Sequence, residues 1–319
     1  SAEEGMKDIP RTNQRTEDGS GKASETGTWT DVAAPRGGFF DSETVKVRQD
    51  SAQQELANRR FFESEGELAR SLVRHLSARL ELTLSDLREN VAVHSPMGRL
   101  DPVRAWRMPI VHDPDVFEKQ RPEREMPLDV TLLLDASASR MQMQEQLAAE
   151  AWILAEALKN CHVPAAVWNF RSLRGYTVLE KMKDFSERDG AHLFHFYAAG
   201  WNRDGLGLRL AAEELLHGDR KHILIVLTDA SPDDSTRLSA CEKYPFGAAY
   251  EGCPAVEDAA DAIAEMRAQG ILVYGLFLGR TENLGNLSLM YGHHQVRIHD
   301  IGQLARAAGE IFMKAVEEL

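Results

Sequence analysis

The side chains best placed to do chemistry are oxygen donors set in two short runs. Asp135, Ser137 and Ser139 form an Asp-x-Ser-x-Ser pattern, and Thr228 is followed at once by Asp229. Each run closes an apolar stretch of strand length, 130–134 and 223–227. Carboxylates and hydroxyls without His or Cys suit a hard divalent cation such as Mg2+, with Ca2+ and Mn2+ as alternatives, rather than zinc or copper. The hydroxyls bring no charge, so a cation held this way stays partly positive and partly hydrated, ready to accept a carboxylate from another molecule. Out of context the same residues are ordinary caps of helices and turns. Their place at the ends of apolar strands is what raises them.

The elements that must position these groups follow from periodicity. Short β-branched and leucine-rich runs without polar alternation predict buried strands near 129–134, 223–228 and 271–278, and further strands are expected near 165–170, 176–181 and 295–298. Helices are expected near 141–160, 204–217, 255–269, 281–291 and 301–318. Such alternation predicts an α/β fold with a doubly wound, mostly parallel sheet flanked by helices, Rossmann-like in layout. In these sheets ligands bind at the carboxyl ends of the strands, where the strand order reverses. Asp135 and Asp229 would then face one crevice. The polar turn 200–205 would bring Asn202 or Asp204 to it, giving the set Asp135, Ser137, Ser139, Asn202, Asp204 and Asp229.

Three segments are expected. Residues 1–42 are polar and predict a mobile tail. Residues 43–125 predict a helical and extended appendage: Leu68, Leu72, Leu76 and Leu80 make one apolar stripe, Thr83 and Ser85 break it, and five prolines from Pro96 to Pro122 predict a strap of turns. Residues 126–319 carry the α/β domain. Its loop 231–254 is long enough to act as a lid or partner-facing flap. Beside it, Trp201 and Arg203 are candidates for a recognition edge, and Asp233 and Asp234 for partner contact, contact with metal-bound water or turn capping. His192 with His195, and His293 with His294, lack an evident third ligand and are expected as surface or core histidines.

Composition removes several classes. A formal net charge of −13 over 319 residues argues against nucleic-acid binding and against anionic membrane surfaces. No apolar run approaches the ~20 residues that span a bilayer, and the amino terminus is polar rather than a signal peptide, so no membrane insertion is expected. Cys161, Cys241 and Cys253 match no zinc spacing and predict a reducing, cytoplasmic setting, with a Cys241–Cys253 bridge as the lesser alternative. No phosphate-binding Gly-x-x-x-x-Gly-Lys-Ser/Thr run occurs, so the chain is not itself an ATPase.

Taken together, Asp135-x-Ser137-x-Ser139, the polar middle loop and Thr228-Asp229 resemble the metal-ion-dependent adhesion site (MIDAS) of von Willebrand factor A (VWA) domains. The finer resemblance, over about 98–319, is to NorD-like nitric-oxide-reductase activation proteins and the carboxyl-terminal part of the CobT cobaltochelatase subunit. It is carried by Gly-Arg-Leu-Asp-Pro at 98–102, Asp-Val-Phe at 115–117, Asn-Arg-Asp-Gly at 202–205, Ser-Pro-Asp-Asp-Ser at 231–235 and Tyr-Glu-Gly at 250–252. The resemblance implies a Mg2+ site in which Ser137 and Ser139 ligate directly and the aspartates ligate directly or through water. Two positions depart from the pattern: Asn202 stands where the family has a threonine, and Ala230 where it often has glycine. The family implies a non-enzymatic adaptor that docks a MoxR-type AAA+ ATPase onto a client enzyme needing activation or maturation. The alternatives are a chelatase-type subunit assisting metal insertion and, more remote, a Mg2+-dependent phosphatase-like enzyme using Ser137 or Asp135.

Overall fold

The computed structural model describes residues 42–89, 93–97, 99–119, 128–187, 189–216, 220–299 and 301–318. The tail expected over 1–42 lies outside these residues except for Ser42, as do Gly98 and Pro122. Two long helices come first, α1 (Ser42–Ser64) and α2 (Gly66–Glu89). A small antiparallel sheet follows, with β1 (Val93–Ser95) and β2 (Arg99–Leu100) on either side of β3 (Phe117–Lys119), and one short helix, α3 (Arg107–Val111).

The α/β domain then runs β4 (Leu128–Asp135), α4 (Gln144–Asn160), β5 (Ala165–Leu173), β6 (Tyr176–Lys183), α5 (Asp204–Leu215), β7 (Lys221–Thr228), β8 (Asp234–Leu238), β9 (Ala248–Tyr250), α6 (Gly252–Ala268), β10 (Leu272–Phe277), α7 (Leu284–Tyr291), β11 (Gln295–Arg297) and α8 (Leu304–Glu317). The six-stranded sheet has the order β11-β10-β7-β4-β5-β6. All pairs are parallel except β5 with β6. That edge is a hairpin because its two-residue turn, Arg174-Gly175, has both φ angles positive (52° and 81°) and is far too short for a crossover.

β4 is buried along its whole length. Its Leu128, Val130, Leu132 and Leu134 enter the core layer shared with α2, α4 and α8, while Leu133 enters the opposite layer with α5, α6 and α7. A strand covered on both faces has no use for polar alternation, which is why it reads as a continuous apolar run. The order reverses between β4 and β7, whose register sets Leu134 opposite Leu227. Asp135 and Thr228 are thereby delivered to the same end of the sheet.

The amino-terminal helices join this core. Leu72, Leu76 and Leu80 of α2 are buried in the layer that covers β4. The expected break at Thr83 and Ser85 does not occur: α2 runs unbroken to Glu89, Thr83 Oγ1 donates back to the Arg79 carbonyl (3.2 Å), and Leu84 continues the four-residue ladder fully buried. A hydroxyl bonded inside its own helix no longer competes for the backbone. On α1, buried Asn58 donates to the carbonyls of Phe194 (2.8 Å) and Phe196 (2.9 Å), and Phe62 packs edge-on against Trp152.

Candidate metal centre

Three loops converge at the carboxyl ends of β4 and β7. The first follows Asp135, whose Oδ1 accepts the Ser137 N–H (2.9 Å) and so folds the chain into a tight turn. That turn lays Ser137 Oγ against Ser139 Oγ at 2.9 Å. The second loop is pinned to the first by backbone bonds from Ala199 to Ala136 (2.8 Å) and from Ala138 to Gly200 (2.9 Å). Gly200 takes a positive φ of 77°, and a Cβ there would collide with the Ser172 carbonyl, so only glycine fits this turn. The third loop follows Thr228, whose Oγ1 accepts the Ala230 N–H (2.9 Å), and Asp229 Oδ1 accepts the Ser231 N–H (3.2 Å).

Asp135 is wholly buried, and Asp204 and Asp229 nearly so. Burial, with the charge of Asp229 beside it, pushes the Asp135 carboxyl up to about 6. Asp204 is pushed well above the ordinary carboxylate range, first by burial and then by Asp135 and Asp229. Asp135 Oδ2 is buried with no hydrogen-bond partner among the described residues. Buried polar atoms are rarely left so, and this one belongs to a carboxyl that shares its field with Asp204 and Asp229. Arg140 partly balances the cluster from behind. It is buried, its Nη1 donates to the Leu278 carbonyl, and its charge pulls Asp135 down against the upward push.

The structure separates the two middle-loop residues by what they are bonded to. Asn202 Oδ1 accepts the Asp233 N–H (3.2 Å) and its Nδ2 donates to Asp204 Oδ1 (3.0 Å), while its backbone pairs with that of Asp233 in both directions. Asn202 is thus tied to the flap and orients Asp204, whereas Asp204 shares its field with Asp135 and Asp229. The segment 231–254 is built around the β8–β9 hairpin. Arg203 lies over the Tyr250 ring and pairs with Asp234 (3.7 Å), so these two charges face each other under the flap. Trp201 is 47% exposed on the rim, and Asp233 is half-buried.

Several supporting residues were not singled out from the sequence. Asn283 and Asn286 donate to the carbonyls of Asp229 (2.9 Å) and Ala230 (3.1 Å), fixing the third loop from the α7 side. Tyr250 accepts the Gly205 N–H at the start of α5 (3.0 Å), and Gln144 accepts the Ala198 N–H (2.7 Å). Of these only Tyr250 lies in one of the motifs, Tyr-Glu-Gly at 250–252, and nothing local in the sequence marks the others. The departure at Ala230 has a visible cost: its φ is +52°, a conformation glycine takes freely and alanine does not. His192 and His195 lie ring against ring, with His195 beside Glu55 (3.1 Å) on the surface, and all three cysteines are free.

No family model matches the chain. It is 26% identical over 204 residues to the uncharacterized protein YojO of Bacillus subtilis, a match covering 59% of this chain and 30% of that protein. It is 29% identical over 171 residues to protein NorD of Brucella suis, covering 52% of this chain and 25% of NorD. In sequence the chain is thus similar to NorD and YojO. The match spans under a third of the length of these curated relatives. Among solved structures the chain is similar to the vWF domain of the pili tip protein Mfa5 from Porphyromonas gingivalis, at 11% identity and a TM-score of 0.40, over 61% of this chain and 96% of that one. Among the described residues no helix of the NorD-like chain is long and apolar enough to cross a membrane.

Proposed function

We propose that this NorD-like chain is a divalent-cation-dependent protein-interaction module rather than an enzyme. Asp135, Ser137, Ser139, Asp204 and Asp229 would hold the cation, Mg2+ in the first instance, with Asn202 orienting Asp204. The observation that carries this reading is the buried, unpartnered Asp135 Oδ2 among three carboxylates. When bound, the cation supplies an open coordination position for a carboxylate of a protein partner.

The chain's own residues set how strongly that position attracts. Three carboxylates exceed the charge of a dication by one, and the buried Arg140 makes up the difference. The occupied site is then close to neutral, so a partner is recognised through the coordination bond and the rim, not through a long-range field. Trp201, exposed beside the site, and Tyr176, exposed at the neighbouring β5–β6 turn, supply an aromatic rim of the kind enriched in protein interfaces. Ser137 Oγ bonds to Ser139 rather than to a base, which favours a ligand role over a nucleophilic one.

The adaptor role, in which the module joins a MoxR-type AAA+ ATPase to a client enzyme that it activates or matures, rests on the NorD-like sequence. A cytoplasmic location goes with it. The test is capture of partners from cytoplasm by the wild-type protein and by Asp135→Asn, each in Mg2+ and in EDTA. Recovery of an AAA+ ATPase that is lost in both the variant and the chelator is the expected result. Recovery unchanged by either would remove the cation from docking.

A further inference from the structure

Away from the carboxylate cluster, the turn between α7 and β11 carries His293 and His294, and the structure supplies the third ligand that the sequence did not reveal. Glu318, which directly follows α8, brings a carboxylate oxygen to them. One ligand atom from each of the three residues lies within 4.8 Å of the other two. His294 Nε2 meets Glu318 Oε1 at 2.9 Å, and the two imidazole rings stand 3.9 Å apart. Lys314, one turn before Glu318, donates to the His293 carbonyl (3.3 Å), so the end of α8 is already held over this turn.

From these distances we infer a second cation site, formed by His293, His294 and Glu318 and suited to a borderline transition-metal dication of the Zn2+ or Co2+ class. Two imidazoles and one carboxylate are a donor set for that class and not for Mg2+. His294 Nε2 already faces Glu318, and its Nδ1 is buried without a partner among the described residues. A cation bound at Nε2 would leave the ring proton on that Nδ1, without an acceptor among the described residues, which would make the site weaker than a closed structural zinc site.

The location separates this site from the first. His294 precedes β11, and its carbonyl accepts the Gly275 N–H (2.9 Å) midway along β10, whereas the carboxylate cluster sits past the carboxyl ends of β4 and β7. A cation here would pin α8 to the edge of the sheet. The inference does not depend on the proposed interaction function.

The test is Co2+ titration of the full chain without a polyhistidine tag, in the Asp135→Asn background so that the carboxylate cluster does not compete. One equivalent of Co2+ should give visible ligand-field bands that Zn2+ abolishes and millimolar Mg2+ leaves unchanged. His294→Ala should lose the bands, and His293→Ala and Glu318→Gln, both at exposed positions and therefore harmless to folding, should weaken or lose them. Absence of bands in the parent, or bands that survive in both His293→Ala and Glu318→Gln, would overturn the site.

Discussion

The two ends of the β4–β7 pair carry buried carboxylates in opposite circumstances. At the amino end Asp129 stands opposite His222 in the strand register, with Asp129 Oδ1 and His222 Nδ1 2.5 Å apart. At the carboxyl end Asp135 keeps one oxygen without a partner and shares its surroundings with two further carboxylates. In the first the acid has its partner, although His222 Nε2 is itself buried without one among the described residues. The second is electrostatically unfinished, and the sheet that buries it must carry that cost unless a cation is present. Within one pair of strands, one buried acid faces a partner of opposite tendency and the other faces further acids and keeps an oxygen free.

The largest expected effect breaks the paired end. Asp129→Ala leaves His222 without its partner and should cost about 3 kcal/mol of folding stability, whether or not a cation is present. Asp135→Asn should do the reverse. It keeps the acceptor for the Ser137 N–H and removes one charge from the cluster, so the metal-free protein should unfold at a temperature no lower than wild type at pH 8. Its response to Mg2+ or Mn2+ should vanish. At a free cation concentration about 100 times its Kd, wild type should gain about 2.7 kcal/mol. Thermal unfolding of the three proteins with and without cation separates these outcomes, and a large loss in metal-free Asp135→Asn would mean that the Asp135 carboxylate is already satisfied without a cation.

The same contrast can be sharpened with pH. Both shifts in the cluster are upward, Asp135 to about 6 and Asp204 well above its ordinary value. The folded metal-free protein therefore holds protons that the unfolded chain releases near pH 4. Stability from these groups is fully present below about pH 4 and is lost as pH rises through about 6 and beyond, by up to about 3 kcal/mol for Asp135 alone. A cation competes with those protons. Unfolding temperatures with and without Mg2+ should diverge above about pH 6 and converge below it, and the divergence should be absent in Asp135→Asn.

How much of this was legible in the sequence follows the same division. Strands buried on both faces leave a continuous apolar signal, so β4, β7 and β10 could be placed to within a residue or two, and the motif at the end of each of the first two came with them. Pairing across strands leaves no such signal. Asp129 and His222 are 93 positions apart, and only the register makes them partners. The roles of Arg140, Asn283, Asn286 and Glu318 were hidden for the same reason. The distinction between Asn202 and Asp204 depended on which of them the flap engages, a contact made through Asp233 on another loop. The α2 helix ran past its apparent break because Leu84 had a core to enter, and tertiary burial outweighed the local preference of Thr83 and Ser85.

The smallest expected effect concerns strain rather than charge. Ala230 holds φ at +52° at the carboxyl end, and His162 holds +56° on the turn that leads into β5 at the other end. A left-handed alanine costs about 1–2 kcal/mol, and replacing it by glycine gives back about 0.4–1 kcal/mol through the freer unfolded chain. Ala230→Gly should therefore stabilise the metal-free protein by about 0.5–1 kcal/mol. The Ala230 N–H and carbonyl remain bonded to Thr228 and Asn286, so the loop keeps its shape and the added stability from Mg2+ should be unchanged. His162→Gly should give a similar or smaller gain, because histidine tolerates this conformation better than alanine. If Ala230→Gly instead shrinks the Mg2+ response while His162→Gly does not touch it, the strain at the carboxyl end is part of how Asp229 is aimed, and the departure from glycine at this position tightens the site.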